Sequence, residues 1–431
     1  MENNQHLPQT TIIQEYINKN PIHNTMKNLL ESIHEELKPQ KDPSIQPFIQ
    51  KVRKAFKDST HQPKIHVGGS YAKNTHIGKD YDVDIFIKYD KKHRDKPISD
   101  YTETVLQRTD IQYKRVHGSR DYFITTQQRQ YELIPVLDIQ KPSQAETVVD
   151  NSPLHVAYTK QRLTPTKKKH IRLLKQFLKA QEIYGAESYI GGFSGHVVDL
   201  LILHYKTLPK LLEATQNWKP KTVIDIENHH DLPLHTLNES KTQGPLILID
   251  PIQKHRNAAA AVTKKAYNKL KQKAKQLQRN PTKKQFYIPT HKDKLRKHKE
   301  KHQNKEVLEL TFTDTKKDIS GDKLIKIQKH IQRQLQHSGF TDIHIDTHHA
   351  DTKSYLYIAA THHDEQLIKG PPLTAPKKHR ERFKQKYEDI HIEKGILQTK
   401  QPTTYKDLQE ALQHIKENAY IQERCETIRK S

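Results

Sequence analysis

GGSYAKNTHIGKDYDVDIFIKY, from Gly68 to Tyr89, decides the reading of this chain. Ile65 to Val67 is a short β-like run, and Gly68-Gly69 lets the backbone turn tightly after it. From Tyr81 to Tyr89 apolar and polar residues alternate, which predicts a second strand. Residues two apart on a strand share a face, so Asp82 and Asp84 should project together. Two adjacent carboxylates repel unless a cation lies between them, and hard cations such as Mg²⁺ take oxygen ligands. A Gly-Ser turn beside such a pair holds phosphates with backbone N–H groups and a hydroxyl. The combination points to metal-dependent chemistry on a nucleoside triphosphate. A bare Asp-x-Asp would be read instead as the polar face of an edge strand.

Composition narrows the partners. The 431 residues suit two to four domains. The net charge of +24 calls for a polyanion, either nucleic acid or an anionic membrane surface. No apolar run approaches the ~20 residues of a membrane span; nucleic acid is the favoured polyanion, and no membrane partner is expected. The N-terminal MENNQHLPQT has no basic and apolar leader pattern, so no secretory signal is expected. The single cysteine, Cys425, excludes an internal disulfide and fits a reducing cytoplasm. The 29 histidines show no zinc-ligand spacing.

Outward from the opening stretch, Ser44 to Ser59 predicts a helix capped by Ser44, with Ile45, Phe48, Ile49, Val52 and Phe56 in one stripe. Tyr122–Thr126 and Gln130–Leu137 predict a strand pair. Asp150 to Leu154 (DNSPL) reads as a turn. Helices are expected from Lys167, over Val197–Tyr205 and over Ala258–Leu277, with a strand at Leu246–Ile249. Lys264 to Lys301 reads as a basic face, either solvated or laid on phosphates. A strand at Val307–Phe312, a helix at Asp322–His337 and strands at Ile343–Ile345 and Tyr355–Ala360 give a β-α-β-β order, compatible with a ferredoxin-like or RRM-like unit. It lacks the aromatic signature of a true RRM. Helices are also expected at Lys378–Tyr387 and Thr404–Asn418.

The Gly69-Ser70 turn followed by Asp82 and Asp84 resembles the polymerase-β-like nucleotidyltransferase superfamily. The ordered segments TVVDNSPLH (Thr147–His155), RLLKQFLKAQEIYGAES (Arg172–Ser188), GGFSGHVVDLLILHY (Gly191–Tyr205), KTVIDI (Lys221–Ile226) and LIDPIQKHRNAAAAV (Leu248–Val262) are similar, more narrowly, to the archaeal-type, class I CCA-adding enzymes. KGPPL (Lys369–Leu373) and the stretch from Glu381 to Leu397 carry the likeness more weakly.

That resemblance implies an α+β chain. A nucleotidyltransferase head would span residues 1–150, a helical neck and body 151–285, and an α+β tail 286–431. It implies template-independent addition of C, C and A to the 3′ end of tRNA from CTP and ATP, with a two-metal Mg²⁺ site. Asp82, Asp84 and Glu132 would be the metal-binding, catalytic acids. Glu132 stands where the family has aspartate, and Asp138 is the reserve for that place. Gly69, Ser70, Lys73, His155, Lys175, Tyr184 and Arg256 would bind the nucleotide. tRNA would be held by Lys-rich faces near 264–301 and 377–386, in the cytoplasm, by an enzyme that is often a homodimer. The rivals are a poly(A) polymerase or oligoadenylate synthetase on the same head, and a non-catalytic RNA-binding protein that kept the fold.

Overall fold

The computed structural model describes residues 21–79, 81–125, 129–313, 317–350 and 353–431. The stretch read above for a leader, and Thr126 at the end of one expected strand, lie outside the described residues. The chain divides into two units, one ending at Ile288 and one running from Pro289 to Ser431.

The first unit begins with helices α1 (Pro21–Glu36) and α2 (Ile45–Lys57) and carries a five-stranded sheet. Its strands are β1 (Lys64–Val67), β2 (Val83–Tyr89), β3 (Tyr113–Val116), β4 (Tyr122–Thr125) and β5 (Tyr131–Leu137), in the order β1-β2-β5-β4-β3. β2 and β5 run parallel, and the other neighbours are antiparallel. The interior strand β2 is buried except at Asp84 and Lys88, which are half-buried. A strand covered on both faces reads as a nearly continuous apolar run, and its two charged members are the exceptions. The α2 stripe Ile45, Phe48, Ile49, Val52 and Phe56 is buried as its period requires. Ser44 does not cap α2, because its hydroxyl donates to Asp42 Oδ1 at 2.5 Å.

A four-residue helix, α3 (Gly69–Ala72), follows the Gly-Gly turn, and α4 (Ile98–Leu106) packs on the sheet. Asp150 ties together the segment that follows β5. Its fully buried carboxylate pairs with Arg120 and accepts the N–H groups of Leu137, Glu146 and Thr147 at 2.8–3.0 Å. DNSPL is not a free turn. It leads into α5 (Ser152–Arg162), with Pro153 in the first turn, where proline's missing N–H costs nothing.

The rest of this unit is helical: α6 (Pro165–Ala180), α7 (Gly195–Tyr205), α8 (Leu208–Gln216) and α9 (Lys264–Arg279). Thr164 and Ser194 cap α6 and α7 through their hydroxyls. α9 starts six residues later than the alanine run suggested. Thr263 caps it, and Asn257 holds the preceding residues by accepting from Leu248 N and Ala259 N. Ala266, Tyr267, Leu270, Ala274 and Leu277 join the core, while Lys264, Lys265, Lys275 and Arg279 are exposed. The helix is therefore both core and basic face. Short strands β6 (Thr222–Ile224) and β7 (Leu246–Leu248) pair in parallel.

In the second unit, α10 (His291–Lys301) precedes a four-stranded antiparallel sheet. Its strands, numbered in chain order with those of a second sheet, are β8 (Lys305–Thr311), β9 (Thr341–His349), β10 (Ser354–Thr361) and β14 (Thr427–Lys430), in the order β14-β8-β10-β9. With α11 (Lys317–His337) after β8, and a later helix at Leu408–Lys416 before β14, this is a β-α-β-β-α-β unit of ferredoxin-like order. A second sheet of β11 (Glu365–Pro372), β12 (His391–Glu393) and β13 (Ile396–Pro402) interrupts it and holds α12 (Lys377–Lys386), which has no buried residue. Among the described residues no helix is long and apolar enough to cross a membrane.

Candidate active site

The site forms where β1 hands over to α3. Gly68 N–H donates to Asp84 O at 2.8 Å, so the turn lies against the start of β2. Two glycines make that approach possible. A Cβ on Gly68 would come within 2.3 Å of the Phe86 ring. Gly69, at φ +59°, would put a Cβ 1.5 Å from Asp84 Oδ2. Ser70 follows in α3, half-buried, and its carbonyl accepts from Thr75 N at 2.9 Å.

The parallel register sets Glu132 of β5 directly beside Asp84 of β2. Neighbours in register on adjacent strands project to one face, so two strands far apart in sequence each supply an acid there. Asp82 lies one residue before β2. Burial first, and then the charge of Asp82, push the Asp84 carboxyl up to about 6. Crowded, desolvated carboxylates are the donor set that a hard divalent cation relieves, which suits Asp84 with Asp82 beside it; among the described residues, the group whose ligand atoms already stand at metal spacing is His155, His196 and Asp250 rather than these three acids. Asp138, the reserve acid, lies past the other end of β5 and pairs with Lys88 at 2.7 Å and Lys64 at 2.9 Å.

Basic residues approach from α3 and α6. Lys73 is the last residue of the short turn, and its ammonium forms an ion pair with Asp199 of α7. Lys175 is 4% exposed, and its Nζ donates to Thr75 O at 3.0 Å. Burial pulls Lys175 down to about 8, opposed by Asp199. Arg172, one turn earlier on α6, donates to Asn74 O at 2.7 Å. Tyr184 forms a bridge with Phe193 beyond the end of α6, and burial raises its phenol.

His155 and Arg256 meet on one carboxylate. His155 Nε2 lies 2.8 and 3.0 Å from the two oxygens of the fully buried Asp250. Arg256 pairs with the same carboxylate, and His196 Nε2 lies 3.3 Å from it. Ile252 and Gln253 donate their N–H groups to Asp250 Oδ1. Burial alone would raise Asp250, but hydrogen bonds from His155 and His196 hold it below the usual carboxylate range. His155, His196 and Asp250 have the spacing of a metal site. The Arg256 guanidinium already neutralises the oxygen such an ion would need, so the set works as an anchored donor cluster.

Asp199, Asp250, His196, Thr75 and Arg172 were not singled out from the sequence. Asp199 had a usable signal: it is the one acid in the apolar run VVDLLILHY, and an unpaired charge there would be costly.

Two protein families match the chain. A nucleotidyltransferase domain matches residues 49–155, and the second domain of tRNA nucleotidyltransferase matches 169–287. A CCA-adding enzyme of Nanoarchaeum equitans is 34% identical over 72% of this chain and 77% of its own length. That of Saccharolobus shibatae is 29% identical over 69% and 70%, and that of Methanocaldococcus jannaschii 28% over 85% and 86%. Among solved structures, the Cid1 poly(U) polymerase with MgGTP bound aligns at a TM-score of 0.50 and 14% identity, covering 62% of this chain and all of that one. That likeness shows the fold.

Proposed function

Because this chain belongs to the archaeal CCA-adding enzymes, we propose that its tRNA nucleotidyltransfer is carried by Asp82, Asp84 and Glu132. The enzyme adds C, C and A to the 3′ end of tRNA without a template, using CTP and ATP and releasing pyrophosphate. Its relatives do not favour a poly(A) polymerase or a non-catalytic binder. The observation that carries the site reading is the Asp84 carboxylate, crowded by Asp82, in register with Glu132 and backed directly by Gly69.

Metal use follows from the family, and Mg²⁺ is the ion we assign to the three acids. When bound, it supplies Lewis-acid stabilisation of the attacking 3′-hydroxyl and of the leaving pyrophosphate. The chain's own residues do the positioning. Ser70 and the backbone N–H groups after Gly69 receive phosphate oxygens. Lys73 and Lys175 offset triphosphate charge. Tyr184 closes the end of α6, a flat neighbour for the nucleotide. His155 and Arg256, anchored through Asp250, present directed donors, the arginine as a planar fork. The in-line transfer at the α-phosphorus is then mainly positioning and charge stabilisation.

We assign tRNA backbone contacts to the exposed lysines of α9, α10 and α12, since an A-form acceptor stem is recognised by shape and phosphates. Work in the cytoplasm and a homodimer, both implied by the resemblance, belong to the same proposal, with mass in solution testing the latter.

Asp84→Ala separates catalysis from binding. Nucleotide incorporation should fall at least about 10³-fold with tRNA affinity kept, because a metal ligand contributes several kcal/mol to the transition state. Unchanged turnover in a folded Asp84→Ala protein would remove these acids from the mechanism.

A further inference from the structure

We propose that Asp199 is the positioning residue for the cations that receive the nucleotide's phosphates, an inference that rests on the reading of Lys73 and Lys175 as phosphate-binding. Asp199 lies in the middle of α7 and is fully buried. One carboxylate oxygen holds the Lys73 ammonium, which is 11% exposed. The other is buried and has no hydrogen-bond partner. Asp150, by contrast, has both of its carboxylate oxygens hydrogen-bonded. Asp199 is held through one oxygen, and its partner there is a cation.

The charge has an evident use. Lys73 at the end of α3 and the buried Lys175 on α6 carry like charges, and the charge of Lys73 disfavours the charged form of Lys175. Lys179 and Arg172 add to the positive field at Lys175, and Asp199 is the acid that opposes it. The same carboxylate acts on the Tyr184 phenol. It therefore bears on three of the residues read as nucleotide-binding, from a helix that contributes none of them. With Asp199 in place, Lys73 is fixed and the positive field on Lys175 is offset before the triphosphate arrives. Without it, Lys73 is released and the buried Lys175 sheds its proton more readily.

The test uses full-length protein and labelled CTP or ATP with Mg²⁺, by equilibrium dialysis and by steady-state incorporation. Asp199→Asn keeps shape and removes charge. Its nucleotide Kd and KM should rise about tenfold or more, the usual weight of a charge-assisted contact. The kcat at saturating nucleotide and the tRNA Kd should stay within about threefold, because the acid touches neither the reacting atoms nor RNA. Asp199→Glu, which keeps the charge, should recover at least half of the loss on a logarithmic scale. In a Lys73→Met background, Asp199→Asn should add less to the Kd than it does alone, since the two act through one contact. An Asp199→Asn protein with wild-type nucleotide Kd, while Lys73→Met binds weakly, overturns the inference. So does Asp199→Asn lowering kcat and the unfolding midpoint with nucleotide Kd unchanged. If Lys73→Met and Lys175→Met both keep wild-type Kd, the phosphate reading itself fails and the inference falls with it.

Discussion

Replacing Gly69 with alanine should disable the site with little loss of fold, and Gly78→Ala supplies the control. Gly69 and Gly78 share the left-handed backbone, at φ +59° and +61°. An alanine in that conformation costs about 1–2 kcal/mol at either position. The surroundings differ. Nothing lies within 4 Å of a Cβ at Gly78, whereas at Gly69 it would meet Asp84 Oδ2 at 1.5 Å. Ordinary contact starts at 3.4 Å, so the carboxylate must move by about 3.4 − 1.5 = 1.9 Å. A 1 Å misplacement of a reacting group costs about 10²-fold in rate, so Gly69→Ala should lose at least that much. Gly78→Ala should stay within about threefold of wild type, and both variants should unfold at similarly reduced denaturant. Single-turnover incorporation of CTP on tRNA, beside urea unfolding, reads both quantities. Gly69→Ala turning over like Gly78→Ala would refute the claim that Asp84 must stand against the Gly-Ser turn.

Two further outcomes concern stability. Arg120→Met strands the fully buried Asp150 and should cost about 3–5 kcal/mol, seen as a lowered midpoint for unfolding of the first unit. An unchanged midpoint would mean the pair does not hold the segment after β5 in place. His76 and His170 are buried and held down to about 4, chiefly by desolvation. Their folded-state values lie below the unfolded one, so the unfolded chain binds more protons between about pH 6.5 and 4. Stability should be full above pH 6.5 and fall through that window, by about 1.4 kcal/mol per pH unit for each histidine at most. His170 Nδ1 has no hydrogen-bond partner, so His170→Leu should flatten this acid limb in pH-dependent urea unfolding; an identical pH profile would contradict it.

The residues near the opening motif were legible because their signals are local. Gly68-Gly69 and Asp84 need only a turn and a strand, and both occur there, but the strand begins at Val83 rather than Tyr81, so Asp82 precedes it instead of sharing its face with Asp84. Glu132 is different. Its neighbour in space is 48 residues away, and only the parallel register of β2 and β5 joins them; the resemblance pointed to Glu132, not the local pattern. Asp250 and Asp199 had to wait for the packing of α5, α6 and α7, because nothing in their flanking residues says which cations they meet. DNSPL was misread for a local reason: asparagine, serine and proline suit a turn and a helix start equally well. The β11–β13 sheet has no local signal of this kind, because β12 is wholly exposed and β11 has no buried residue and ends in Gly-Pro-Pro, so neither carries an apolar period.

The central claim is tested most directly by offering purified protein and Mg²⁺ three tRNA transcripts, ending before CCA, after its first C and after CC, each with labelled CTP or ATP. C should be added to the first two and a single A to the third. Long A-tails from ATP alone, or no incorporation while tRNA stays bound, would contradict it.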